Sequence, residues 1–561
     1  MSEDAGTSPR GPRPVLAEVG TPRGAWAAVD RLLAHASDWL NPILVKETRQ
    51  ALKSRQFVVT FGLLLIVAWG WSMLGVAMMG PEASYGVQRG SYLFVGYYVI
   101  LALPLLVIVP YGAFRSLAAE QEDRTFELMS ITTLDPRQIV SGKLGSAVLQ
   151  MLIYLSAVAP CIAFTYMLRG IALPTIFFLL FYTFLGSLGL SLAGLLVGTL
   201  TDEKHWQSVL SVLVVLGLLI AFWSACALAV EVVDYSDFGV TEREFWIANA
   251  AFLSAYVSYF ALVYFAAAAQ LSFPSDNRST RLRVTMLGQF LLFVGWMSWV
   301  WVTDGPDEDM LTFFLVVVGL HWYGMGALMT GESAQLSYRV RRSLPQSFLG
   351  RAFLTWFNPG PGTGYVFALC GMLAGLLLVC LALASAHVLP NPRRPFATGR
   401  ATDVLTFGTL AFCYMTIFLG LGLVLIRLTR RFSRAGLGLS VLVQVMLVLL
   451  GCGVPLVIQL SSPRWYGSGY SLLQITNVFW TLYAASETRA GFVYGPVLLA
   501  VLPLAALAVF VLNLPAIVRE VRFVRLPKPQ RVAEEDAQQA AVLRPPQPVQ
   551  ISPWDVQEPG K

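Results

Sequence analysis

The stretch WQSVLSVLVVLGLLIAFWSACALAV, residues 206–230, runs for 25 residues without an Asp, Glu, Lys or Arg. About 20 predominantly apolar residues are enough for a helix to cross a hydrocarbon core about 30 Å thick, so the segment reads as a membrane span. Working outward, eleven further stretches read the same way: 58–79, 91–114, 145–168, 171–199, 245–273, 284–302, 309–330, 364–387, 404–426, 436–460 and 492–516. Composition agrees. Of 561 residues, 56% are hydrophobic and only 13% charged, with a mean hydropathy of +0.64. A soluble domain is close to one-quarter charged. This chain has too little polar surface for that, which excludes a soluble enzyme and a disordered regulator. The expected fold is all-α: a polytopic helical membrane protein of about twelve transmembrane helices.

An even number of spans puts both termini on one side. If that side is inner, 31 of the 39 Lys and Arg residues fall in the termini and inner loops and 8 in the outer loops. This bias predicts cytoplasmic termini, and it accounts for the net charge of +6 without nucleic acid as a partner. The first forty residues are polar, with Pro9, Pro12, Pro14 and Pro22, and read as carrying no cleaved signal peptide. The outer loops are acidic at Glu231, Asp234, Asp237, Glu242 and Glu244 and at Asp304, Asp307, Glu308 and Asp309. Without EF-hand-like spacing they read as solvated loops. All six cysteines, Cys161, Cys226, Cys370, Cys380, Cys413 and Cys452, lie in apolar stretches and show neither metal spacing nor a disulfide framework.

No Asp, Glu, Lys or Arg lies in the interior of any of the twelve stretches, Asp309 standing at the edge of its own. Ion-coupled carriers place such a residue at mid-membrane to hold their ion. His321 is the titratable candidate here, and it reads either as a histidine bonded between helices or as a carrier residue. There is no P-loop, no H-E-x-x-H and no nucleophile elbow, so no catalytic, cofactor-binding or metal-ligating residue is assigned. A membrane enzyme acting on lipid-linked substrates would have to use Arg393, Arg394, Arg400 and the acidic outer clusters.

Two inner segments stand out. NPILVKETRQALKSRQF, residues 41–57, begins with an N-cap Asn and a Pro at the first helical position. Ile43, Leu44, Ala51 and Leu52 share a face opposite Lys46, Arg49, Lys53 and Arg55. This predicts an amphipathic helix on the inner leaflet, serving as an anchor or as a moving elbow. The loop RSLAAEQEDRTFELMSITTLDPRQIVSGKL, residues 115–144, is long enough for short helices below the membrane. Asp135 and Pro136 predict a helix start that continues through Gly142 and Lys143 into span 3. The loop reads as a solvated connector or as a lever that a soluble partner could push.

These residues resemble a family. Glu120 and Glu122, the run Arg124, Thr125, Phe126, Glu127, Leu128, and the ending Pro136, Gln138, Ile139, Val140, Gly142, Lys143 are similar to the signature of type-2 ATP-binding-cassette (ABC) exporter permeases. That signature is close to E-x-E-x-G-T-x-E-x-L-L, then T-P-[LIV], then G-K at span 3. Asn41 to Phe57 resembles the family's N-P-[IV]-x-x-K-E elbow. Arg124 stands where the family has Gly, and Leu134, Asp135, Pro136 replace a Thr-Pro step. The resemblance implies a permease subunit that moves a substrate by alternating access, driven by a separate ATPase subunit that carries the ATP and Mg. It implies that Glu120, Glu122, Arg124, Thr125, Glu127 and Pro136 line the ATPase contact and that Gly142 and Lys143 mark the hinge into span 3. It places the chain in a bacterial inner membrane.

The expected organisation is then an arm and elbow, 1–57; a first six-span half, 58–273; a second, 274–518, with an inner loop at 331–363; and a disordered tail, 519–561. Glu332, Leu344, Pro345, Phe348, Gly350 and Arg351 align loosely with Glu122, Leu134, Pro136, Ile139, Gly142 and Lys143, and FLGSLGL at 184–190 parallels FLGLGL at 418–423. The second half therefore reads either as a repeat with a second coupling loop, making the chain a fused pseudo-dimer, or as an accessory module on a chain that dimerises. Residues 471–486 in the last outer loop read as a re-entrant helix, which the family often carries before its final span, or as an interfacial one.

Overall fold

The computed structural model describes residues 41–78, 89–122, 135–168, 171–200, 204–235, 239–273, 276–305, 307–334, 336, 347–388, 398–430, 437–461, 469–487, 493–524 and 530–543. Among these, twelve helices are long and apolar enough to cross a membrane. Spans 1–6 are Arg55–Gly75, Gly90–Glu122, Pro136–Met167, Leu173–Gly198, His205–Asp234 and Arg243–Leu271. Spans 7–12 are Thr280–Asp304, Glu308–Met329, Pro361–Ala386, Ala401–Thr429, Gly438–Ser461 and Gly495–Arg522. The chain is an all-α, multi-pass membrane protein. Its surface is that of a body solvated by lipid: Val59, Ile66, Trp223 and Leu381 are each about two-thirds exposed, as lipid contact allows and water does not.

The chain divides into two compact units, Met1–Ala250 with Val263–Leu271, and Ala251–Leu262 with Ser272–Lys561. In the first, span 2 is the hub and packs on spans 1, 3, 4 and 5. Phe94, Tyr97, Tyr98, Leu101 and Leu105 are buried around it. Pro104 lacks a donor N–H, and the helix widens there into a π-turn over Pro104–Ile108. The Leu105 carbonyl accepts from Ser187 Oγ of span 4. Below that bond the two backbones meet through small residues: a Cβ on Gly194 would lie 3.0 Å from the Pro110 carbonyl oxygen, and one on Gly198 would lie 3.1 Å from that of Phe114. Lipid-embedded helices associate through this kind of close approach, since apolar burial gains little in lipid.

In the second unit span 8 is the hub, packing on spans 7, 9, 10 and 11, and span 10 packs on spans 9, 11 and 12. The hub's neighbours in the first unit thus recur six spans later, whereas the packing of span 10 on span 12 has no counterpart of that extent between spans 4 and 6. Trp322 is fully buried against Gly371 of span 9.

Several spans run further than the apolar stretches suggest. Span 2 continues to Glu122, and the twelfth helix reaches Val524. Arg283, Arg427 and Glu520 thereby lie inside helix ends rather than in loops. The expectation of a disordered tail over 519–561 needs correcting: Gln530–Leu543 is helical, because QRVAEEDAQQAAVL is rich in Ala, Glu and Gln, which are good helix formers.

The segment between spans 11 and 12 folds back along span 11. A 3-10 turn, Leu472–Thr476, leads into the helix Val478–Glu487. Thr476 Oγ1 donates to the Gly451 carbonyl of span 11 at 2.9 Å, ten residues before the span's end at Ser461, or about 15 Å along the helix axis. Tyr414 of span 10 donates to the Ile475 carbonyl at 2.5 Å. Gln474, Asn477 and Gln459 are buried and bonded to one another, so the irregular backbone sits where protein, not lipid, satisfies it.

Candidate coupling site

The elbow is a helix, Pro42–Lys53, with Asn41 as its N-cap: Asn41 Oδ1 accepts from the Ile43 N–H at 3.0 Å. Lys46, Arg49, Lys53 and Arg55 are exposed and Ile43 is buried, as the sequence pattern requires. Ser54 separates the elbow from span 1. Its hydroxyl donates to the Ala51 carbonyl at 2.7 Å and accepts from the Phe57 N–H at 3.1 Å, ending one helix and starting the next.

The elbow lies against the start of span 3, which opens with Asp135 as N-cap and Pro136 in the first turn. The capping box is complete: Asp135 Oδ1 accepts from the Arg137 N–H at 3.1 Å, and Gln138 Oε1 accepts from the Asp135 N–H at 3.2 Å. Asn41 Nδ2 donates to the Gln138 carbonyl and to Ser141 Oγ. A Cβ on Gly142 would stand 2.8 Å from Ile43 Cβ and 3.0 Å from the Leu44 backbone nitrogen, so only glycine admits the elbow at that position, while one on Gly145 would stand 2.8 Å from the Leu44 Cδ1, the end of a side chain that can shift.

Lys143 joins three elements. Its Nζ lies 3.1 Å from Glu47 of the elbow, 3.0 Å from Glu120 at the end of span 2, and 3.3 Å from the Ser116 carbonyl. The side chain is 2% exposed. Two carboxylates around one enclosed ammonium satisfy its charge. Nearby, Gln207 at the start of span 5 donates to the Ala118 carbonyl at 3.4 Å, and Tyr264 of span 6 donates to the Arg137 carbonyl at 3.1 Å.

Of the residues expected to face an ATPase, Glu120 and Pro136 therefore lie within this junction. Glu122 is half-buried in the last turn of span 2. Arg124, Thr125 and Glu127 lie outside the described residues. The helix Pro136–Met167 runs unbroken through Gly142 and Lys143. They are the surface that receives the elbow, and the break falls at Ser54.

In the second unit Glu332 faces inward. Its Oε2 accepts from Arg283 Nη2 at 2.5 Å and from the Gly360 N–H at 3.1 Å. Arg283, fully buried, also donates to the Trp356 carbonyl at 2.5 Å, to Thr363 Oγ1 at 3.2 Å and to the Gly360 carbonyl at 3.2 Å. Glu520 of span 12 accepts from the Gly362 N–H at 2.7 Å and the Thr363 N–H at 3.2 Å, capping span 9. NPGPGTG, residues 358–364, is thus clasped by two carboxylates and one guanidinium, tying together the ends of spans 7, 8, 9 and 12. Arg430 donates to the Gly331 and Glu332 carbonyls at 2.6 and 3.0 Å. Burial lowers its pKa from the ordinary value and the Glu520 carboxylate opposes that shift. Pro345 lies outside the described residues. Gly350 and Arg351 fall in the short helix Phe348–Leu354, where the Gly350 N–H donates to Ser347 Oγ at 3.1 Å.

His321 is half-buried, with Nε2 3.3 Å from the Met286 carbonyl oxygen. The sequence reading missed the clasp because Arg283 and Glu332 looked like loop residues. The signals that could have found it are the Gly/Pro run 358–364 and an arginine one residue before an apolar stretch. No protein-family description, curated protein or solved structure matches the chain.

Proposed function

We propose that the chain is the permease subunit of an ATP-driven ABC exporter, moving its substrate by alternating access powered by a separate ATPase subunit. The observation that carries this reading is the junction at Lys143, where the elbow, the end of span 2 and the start of span 3 are locked together by charge and by close packing at Gly142. A push on the 123–134 loop would act on both its stems, and Lys143 would pass that push to the elbow and span 1. The re-entrant outer segment before span 12 also matches the family's habit. The packing order that recurs six spans apart supports two degenerate halves in one chain, a fused pseudo-dimer. In this reading both termini are cytoplasmic in a bacterial inner membrane, and ATP and Mg belong to the partner.

The test replaces Glu122 and Glu127 with Lys in the chain co-expressed with its ATPase. Transport-linked ATPase activity should fall to background while expression and thermal stability hold. Full activity in that double variant, or no ATPase on mild-detergent purification, overturns the reading.

A further inference from the structure

Where spans 10 and 12 end in the second unit, the chain carries Arg427, Arg430, Arg519 and Arg522 and one acid, Glu520. The two spans pack directly on each other. Every basic residue within 427–434 and 519–525 is arginine, whose planar fork pairs with two oxygens of one phosphate. Glu520 Oε2 accepts from the Gly362 and Thr363 N–H groups, and among the described residues Glu520 makes no ion pair with these arginines. Arg427 lies within electrostatic reach of Glu520, Arg519 and Arg430. Yet among the described residues it makes no hydrogen bond, and its Nη2 is enclosed without a partner. An enclosed, unpaired guanidinium nitrogen is costly. Arg519 and Arg522 are exposed and three residues apart on one helix face. That face continues along span 12 as Val511, Leu514, Pro515 and Val518, all exposed. An apolar stripe therefore ends in arginines at the depth where hydrocarbon gives way to headgroups.

We infer that this end of spans 10 and 12 binds the phosphate of an anionic phospholipid, whose acyl chain lies along Val511, Leu514 and Val518. Arg427 and Arg519 donate to the phosphate oxygens, and the lipid's net negative charge offsets the excess of arginine over carboxylate. A zwitterionic lipid brings its own cation and gains less. The inference does not depend on the exporter reading.

The experiment titrates phosphatidylglycerol, phosphatidylcholine or inorganic phosphate into the full chain in neutral detergent and counts bound lipid by native mass spectrometry. Phosphatidylglycerol should be retained in preference to phosphatidylcholine. The double variant Arg427→Gln, Arg519→Gln should lower its occupancy by about tenfold or more. Arg531→Gln, on the exposed tail helix, should leave it unchanged. Arg519→Gln alone, at an exposed position, repeats the test if the double variant melts early. Equal retention of the two lipids, an equal loss with Arg531→Gln, or no loss in either Arg519 variant overturns the inference. So does displacement of phosphatidylglycerol by inorganic phosphate at matched concentration, which would mark a site for free anions.

Discussion

Lys143 shows how one residue can hold a junction. Its ammonium is enclosed between Glu47 and Glu120, so replacing it with Met leaves two carboxylates together with no cation. Breaking a buried ion pair from one side costs about 3–5 kcal/mol, and the Lys143→Met variant should melt correspondingly early in detergent. Adding Glu47→Gln and Glu120→Gln should recover most of the loss; no recovery would mean that Lys143 acts through packing alone. Glycines give a second contrast. Gly142→Leu drives a side chain into Ile43 and the Leu44 backbone and should cost about 1–3 kcal/mol, with faster hydrogen exchange over the elbow, residues 42–53. Gly112 in span 2 meets nothing within 4 Å of an added Cβ, so Gly112→Ala should be neutral or stabilise by about 0.5–1 kcal/mol. Equal effects at the two glycines would remove the packing argument.

Among the elements, the segment that folds back along span 11 makes the sharpest claim. If Thr476 sits about 15 Å along span 11 from the outer end, a cysteine there in a cysteine-free background should resist a membrane-impermeant maleimide. Ser486→Cys, at the exposed end of the following helix, should react readily. Gln474→Leu removes the amide that bonds the Pro455 carbonyl and Gln459 and should raise labelling at position 476. Equal labelling at 476 and 486 before any change at Gln474 would place the segment at the interface instead. The same scale explains why the elbow was legible in the sequence. An N-cap Asn, a Pro at the first helical position and three basic residues on one face, Lys46, Arg49 and Lys53, are local signals, and they need no partner to be read. The π-turn at Pro104 was legible only as a proline, since what its freed carbonyl bonds to depends on Ser187, 82 residues away.

For the whole molecule, an even number of spans requires both termini on one side of the membrane. Reporter fusions at the two ends should both report the cytoplasm, and opposite readings would mean that one span does not cross. The ratio of ATPase to chain in the purified complex separates the two architectures. If an ATPase co-purifies, two copies per chain are expected for the fused pair, while one copy per chain would mean that the chain dimerises and each chain contributes a single half-site. The units differ in what joins their helix ends. In the first, Lys143 ties span 3 to the elbow and span 2; in the second, Arg283, Glu332 and Glu520 tie together spans 7, 8, 9 and 12. Arg283→Met should therefore destabilise the chain by about 3–5 kcal/mol without affecting the elbow's hydrogen exchange. Faster exchange over 42–53 in that variant would show that the two networks are coupled.

By itself the sequence determined the class and the spans, because a hydrocarbon core demands about 20 apolar residues in a row and every internal backbone hydrogen bond. These are properties of each segment alone. It also determined the elbow and the start of span 3, whose caps lie within three residues of the groups they satisfy. Only the tertiary structure decided where the charged residues at the span ends go. Lys143 read as a hinge, Glu332 as part of a second coupling loop, Arg283 as a loop charge and Glu520 as a tail residue, yet each is paired or capped by a residue between 23 and 158 positions away. A charge near a membrane surface can stay in water or turn inward, and the choice rests on whether distant helices bring it a partner at about 3 Å. No local pattern carries that information.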